Sequence, residues 1–162
     1  MTIPQLPPAL AKVRGGVFYL HGEDAFRKEQ VVTALIDAHL DSATQDFNFD
    51  QLRGTETEVE TVASIMATPP MMAEWRVVVV REVEGFASGK KARETILEVV
   101  RNPPPGLVLI LSCTVPRGSR AKFYRDLSSL SHSVEFKTFT SADLPGWLIN
   151  RAREAYSVEI EV

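Results

Sequence analysis

The sequence predicts an α/β fold in which a parallel sheet is covered by helices on both faces. Three observations carry this. Short apolar runs alternate with segments of helical periodicity. The central runs, residues 17–20, 77–80 and 107–111, are apolar at every position rather than at alternate ones. Glycine, proline or helix-capping residues separate the segments. A strand apolar on both sides needs cover on both sides, and helical crossovers between parallel strands supply it.

The elements follow in order. The opening MTIPQLPPALAKVRGG, rich in proline, reads as a loose lead-in, with order beginning near Gly16. VFYLHGED is a strand that ends in a glycine turn, and Asp24 is a good N-cap for the helix AFRKEQVVTALIDAHL, whose Phe26, Val31, Leu35 and Ile36 lie near helical spacing. DFNFDQLRG alternates Phe47, Phe49 and Leu52 and closes at Gly54, as an edge strand would. TETEVETVASIMA starts with a Thr-Glu cluster and carries Val59, Val62, Ile65 and Met66 on one helical face. The strand RVVVV comes after Pro69 and Pro70. GKKARETILEVVRN is a helix stopped by Pro103, Pro104 and Pro105; GLVLILSC is a strand, GSRAKFYRDLSSL a helix and SVEFKTF a strand. SADLPGWLINRAREAYSVEIEV opens on a capping serine and reads as the first helix of a further domain.

Composition excludes several classes. The 162 residues carry a formal charge of −3, whereas nucleic-acid-binding domains are usually markedly basic. A single cysteine, Cys113, rules out an internal disulfide and a cysteine-based metal site, which fits a reducing, cytoplasmic setting. The opening lacks the apolar core of a signal peptide, and no apolar run is long enough to span a bilayer. His21, His39 and His132 have no metal-ligand spacing and read as surface or internally satisfied histidines; Cys113, in an apolar strand, reads as inert. No Ser/His/Asp set or carboxylate pair has a spacing that argues for catalysis. In RGSRAKFYR basic residues and aromatics mix; the reading preferred over a DNA contact is a solvated helix with Phe123 and Leu127 turned to the core.

A strand, a glycine turn and a helix in this order is where a nucleotide hydrolase keeps its phosphate loop, G-x-x-x-x-G-K-[ST]. Here the corresponding residues are GEDAFRKE. Gly22 and Lys28 remain, but Arg27 replaces the second glycine and Glu29 the hydroxyl residue that would hold magnesium. Glu23 and Asp24 add negative charge where phosphates would lie. The apolar strand that should end in a metal-holding acid reads VVVVRE, with Arg81 in that place. Both elements fail in the same direction, so the expectation is a parallel-sheet turn with no cofactor.

FYLHGEDAFRKEQ, FNFDQLRG, MATPPMMAEWRVVVVREVEGF, PPPGLVLILSC, SRAKFYRDL, VEFKTFT and LPGWLINRARE stand in an order that resembles the delta subunit family of the bacterial DNA polymerase III clamp loader. The resemblance implies an AAA+/RecA-like domain over residues 1–139 with a degenerate nucleotide site (Gly22, Arg27, Lys28, Glu29, Arg81). It implies that residues 140–162 begin a helical lid domain which this chain does not complete. It further implies a subunit without catalysis of its own within the DNA polymerase III holoenzyme. Its partners would be the sliding clamp (beta subunit), the gamma/tau and delta prime loader subunits, and DNA indirectly or weakly, with no membrane.

The family presents an apolar pair, commonly Leu-Phe, that plugs a pocket on the clamp and helps to open it. Met71 and Met72 fall at that place, with Thr68 and Pro70 before them and Trp75 after. Methionine is apolar and adaptable, though it lacks an aromatic anchor's rigidity. The competing reading makes the pair core fillers; for Trp75, beside the plug, a packing role is preferred over contact with the clamp. Two other functions stay in view, a working phosphate-loop hydrolase and an α/β interaction domain with an unrelated partner.

Overall fold

The computed structural model describes residues 6–138. Among them are five strands, β1 (Gly16–His21), β2 (Phe49–Arg53), β3 (Arg76–Arg81), β4 (Leu107–Cys113) and β5 (His132–Glu135). Five helices join them: α1 (Ala25–His39), the single turn α2 (Gln45–Asn48), α3 (Val59–Met66), α4 (Lys90–Arg101) and α5 (Lys122–Leu130). The strands form one sheet in the order β2-β3-β4-β1-β5, and every neighbouring pair is parallel. Val77 lies opposite Val108 and Val17 opposite Leu109, so the three apolar runs are stacked side by side at the centre.

Alternation along the strands divides the core between two faces. Val17, Tyr19, Val78, Val80, Leu107, Leu109 and Leu111 pack with residues of α3, α4 and α5. Phe18, Leu20, Val77, Val79, Val108 and Ile110 pack with Val31, Val32 and Leu35 of α1. All residues of the three runs are buried, and apart from the Tyr19 hydroxyl their side chains are wholly apolar, as full burial favours. Asp24 caps α1 as expected: its Oδ1 accepts the Arg27 N–H at 3.0 Å. Phe123 and Leu127 face the core, and no helix among the described residues is long and apolar enough to cross a membrane.

Three expectations need correction. The lead-in is not loose beyond residue 6: Leu10 is 1% exposed and joins the core under α1. The prolines there start a turn instead, in which the Leu10 N–H donates to the Pro7 carbonyl at 2.9 Å. Phe47 does not belong to the strand. It lies in α2 and is 60% exposed, because the chain extends only from Phe49. Phe26 stays half-exposed in the first turn of α1, which buries Lys28 and His39 together with its aliphatic stripe. The helix expected beyond residue 140, and the domain boundary before it, lie outside the described residues.

Candidate functional site

Because all strands are parallel, their amino ends gather at one edge and their carboxyl ends at the other, and the sequence places a candidate group at each. The amino edge holds the segment between α3 and β3. Helix α3 ends with the Ala67 N–H on the Ala63 carbonyl at 3.1 Å, and the exposed Thr68 hydroxyl donates to the Ser64 carbonyl at 3.0 Å. Pro70 then lies against Gly106, just before β4; a Cβ at Gly106 would come within 2.6 Å of Pro70 Cγ. Asn48, fully buried at the end of α2, brackets Met71: the Met71 N–H donates to its Oδ1 at 2.6 Å, and its Nδ2 donates to the Met71 carbonyl at 2.8 Å. Met72 has φ +56°, a left-handed conformation that a side chain like methionine's rarely adopts. Met71 is 55% and Met72 90% exposed, so neither fills the core.

Behind the methionines Trp75 is half-buried and stands edge-on to His39, with ring centroids 5.7 Å apart. His39 Nδ1 meets the Leu35 carbonyl at 2.8 Å and its Nε2 meets the Gly15 N–H at 3.0 Å. For both contacts to be hydrogen bonds the ring must be neutral, with its proton on Nδ1. Burial accordingly holds the His39 pKa below its ordinary value, against the smaller opposing effect of the Leu35 carbonyl. A cleft of about 420 Å³ opens here between Arg14, His39, Asp41, Met72 and Trp75. Arg76 ties the edge together: its guanidinium donates to the Phe47 carbonyl at 2.9 Å and pairs with Asp50.

The carboxyl edge holds the other group. Gly22 has φ +120°, and a Cβ there would come within 2.2 Å of the Phe136 carbonyl oxygen. Lys28 is buried, its ammonium donating to the Cys113 carbonyl at 2.9 Å and the Thr114 hydroxyl at 3.0 Å. Burial lowers its pKa, with Cys113 and Glu84 opposing that fall. Arg27 lies over the Phe136 ring, 5.5 Å from its centroid. Glu29 and Arg81 form an ion pair with each other, and Arg81 also donates to Gln51 Oε1 at 2.8 Å. Glu82 takes the Arg53 guanidinium at 3.0 Å and the Thr55 hydroxyl. Cys113 is buried and its thiol pKa is pushed up to about 12, chiefly by that burial.

The structure thus brings Thr68, Pro70, Met71, Met72 and Trp75 to one edge and Gly22, Arg27, Lys28, Glu29 and Arg81 to the other. Sequence reasoning missed Asn48 and Arg76, which hold the methionine segment in place, whereas His39, one of the histidines read as surface or internally satisfied, is internally satisfied. Nothing local marks Asn48 as the residue that holds Met71, which lies 23 residues away.

The strand order and the helices on both faces define an AAA+-like α/β domain. A gamma subunit-related DNA polymerase III protein from Thermotoga maritima shares this fold, with a TM-score of 0.54 and 14% identity over 90% of this chain and 49% of that one. The family model for the DNA polymerase III delta subunit matches residues 18–137, so the chain belongs to that family. The delta subunit of DNA polymerase III from Bacillus subtilis is 24% identical over 145 residues, 85% of this chain and 42% of that protein. The solved structure of a Bacillus subtilis DNA clamp loader delta protein superposes with a TM-score of 0.71 at 21% identity, over 85% of this chain and 43% of that one. The chain therefore spans less than half the length of these relatives.

Proposed function

We propose that this chain is the clamp-binding module of a delta subunit of the DNA polymerase III clamp loader, without catalysis of its own. In this reading Met71 and Met72 enter an apolar pocket on the sliding clamp, Thr68 and Pro70 shape the approach, Trp75 backs the pair, and the contact helps to open the clamp for loading onto DNA. Gamma/tau and delta prime subunits would join through the rest of the full-length protein in the cytoplasm, and DNA would be touched only indirectly or weakly. The observation that carries the reading is the 90% exposure of Met72 in a segment whose neighbours are tightly held. An apolar side chain presented to water on a fixed backbone suits a surface awaiting a partner.

The carboxyl edge is read as a nucleotide site that no longer functions. Its Lys28 is engaged by the end of β4, and Glu29 and Arg81 neutralise one another where a phosphate-loop enzyme would keep magnesium. The test is Met72→Ala in the full-length protein, with affinity for the cognate clamp and melting temperature measured on the same sample. A tenfold or greater loss of affinity with an unchanged melting temperature is expected. Unchanged affinity would defeat the proposal.

A further inference from the structure

We infer that Asn48 is a positioning residue for clamp binding: it fixes the backbone of Met71 so that Met72 is presented in a single orientation. The inference rests on the clamp-binding reading of the methionine pair. Asn48 touches no candidate partner surface itself, being fully buried. Its amide is nonetheless matched to the segment, Oδ1 accepting the Met71 N–H and Nδ2 donating to both the Met71 and Thr44 carbonyls. One side chain thereby satisfies donor and acceptor of a single residue, as a neighbouring strand would.

The next residue shows what this bracket does. Met72 holds φ +56°, a conformation that persists in a non-glycine residue only when its surroundings impose it. Asn48 imposes it from the amino-terminal side. From the other side the Arg76 N–H bonds the Gly106 carbonyl at 2.8 Å and Trp75 lies over Gly15. The corner that carries Asn48 is itself held, since the Arg76 guanidinium bonds the Phe47 carbonyl. Corner and segment therefore fix one another, and the backbone entropy of ordering the methionine segment is lost on folding rather than on binding.

The experiment uses the full-length protein with Asn48→Ala, Asn48→Asp, Met72→Ala and the double variant Asn48→Ala/Met72→Ala. Amide hydrogen exchange at residues 71–73 and clamp affinity are both read. Asn48→Ala should speed exchange of the Met71 amide at least tenfold and weaken clamp binding several-fold, and that loss of affinity should vanish in the Met72→Ala background. Asn48→Asp keeps the acceptor for the Met71 N–H and should give intermediate exchange; it replaces Asn48→Ala in every comparison if the alanine variant does not fold. Faster exchange with normal clamp affinity would overturn the positioning role and leave Asn48 merely structural. So would a loss of affinity that persists undiminished without the Met72 side chain. If Met72→Ala alone leaves affinity unchanged, the clamp reading fails, while unaltered exchange in the Asn48 variants would show the bracket itself to be wrong.

Discussion

At the scale of single residues, Met72 and His39 make opposite demands on water. A fully covered methionine gains roughly 1.5–3 kcal/mol, and part of that is offset by the cost of association. A loss of about 1.4 kcal/mol corresponds to the tenfold change expected for Met72→Ala. A buried methionine would instead cost about 2–5 kcal/mol of stability on truncation, which a melting curve resolves at once. His39 is neutral in the fold, and burial keeps its pKa below the ordinary 6.5. The unfolded chain therefore takes up its proton at higher pH than the folded one. Its contribution to stability is complete above about pH 6.5 and is lost as pH falls towards the folded-state pKa. His21, whose pKa burial also lowers, acts in the same sense. Denaturant midpoints should fall between pH 7.5 and pH 5, and the fall should be smaller in His39→Gln. Two prolines and a strand marked the methionine pair as a turn, but whether it faced water or filled the core was not legible, and its exposure is a finding of the structure. An internally satisfied His39 was among the readings, but its partner was not, since Gly15 approaches it only in the folded chain.

At the scale of elements, sequence pattern was most informative where burial is complete. The three central strands read directly, because a run apolar on both sides has few other homes. The corner at α2 misled, because Phe47 and Phe49 are two residues apart and imitate a strand's period while only the second lies in one. The lead-in misled for a different reason: prolines mark a turn, but a turn still carries a side chain inward when the adjoining face is uncovered. Leu10 covers part of the face that α1 leaves open. Leu10→Ala should therefore cost about 2–5 kcal/mol, the range for deleting a buried leucine side chain. Chemical denaturation checks this; a change of under about 0.5 kcal/mol, usual for a surface position, would return the segment to a loose lead-in.

For the molecule as a whole, the alternation of helices and strands announced a parallel sheet, but strand order was not legible. Order depends on which crossovers skip a neighbour, and no local pattern records that. The nucleotide question also belongs to this scale, since its residues come from α1, β3 and β4. The chain is expected not to hydrolyse ATP, and Arg27→Gly with Glu29→Thr should not restore turnover. Arg81 would still stand in place of an acid, and Lys28 would still be held by the Cys113 carbonyl and Thr114. A phosphate-release assay with magnesium checks this; turnover by the unmodified protein would overthrow it.

The parallel sheet has a mechanical consequence. β3 runs six residues from the methionine segment to Arg81, a distance of roughly 20 Å at about 3.3 Å per residue. A partner seated on the methionine segment, as proposed above, would sit one strand length from Arg81 and leave that residue open. A mixture of this protein, a partner at the amino edge and a reagent directed at Arg81 should form a ternary complex. The affinity of each should be the same with the other present or absent.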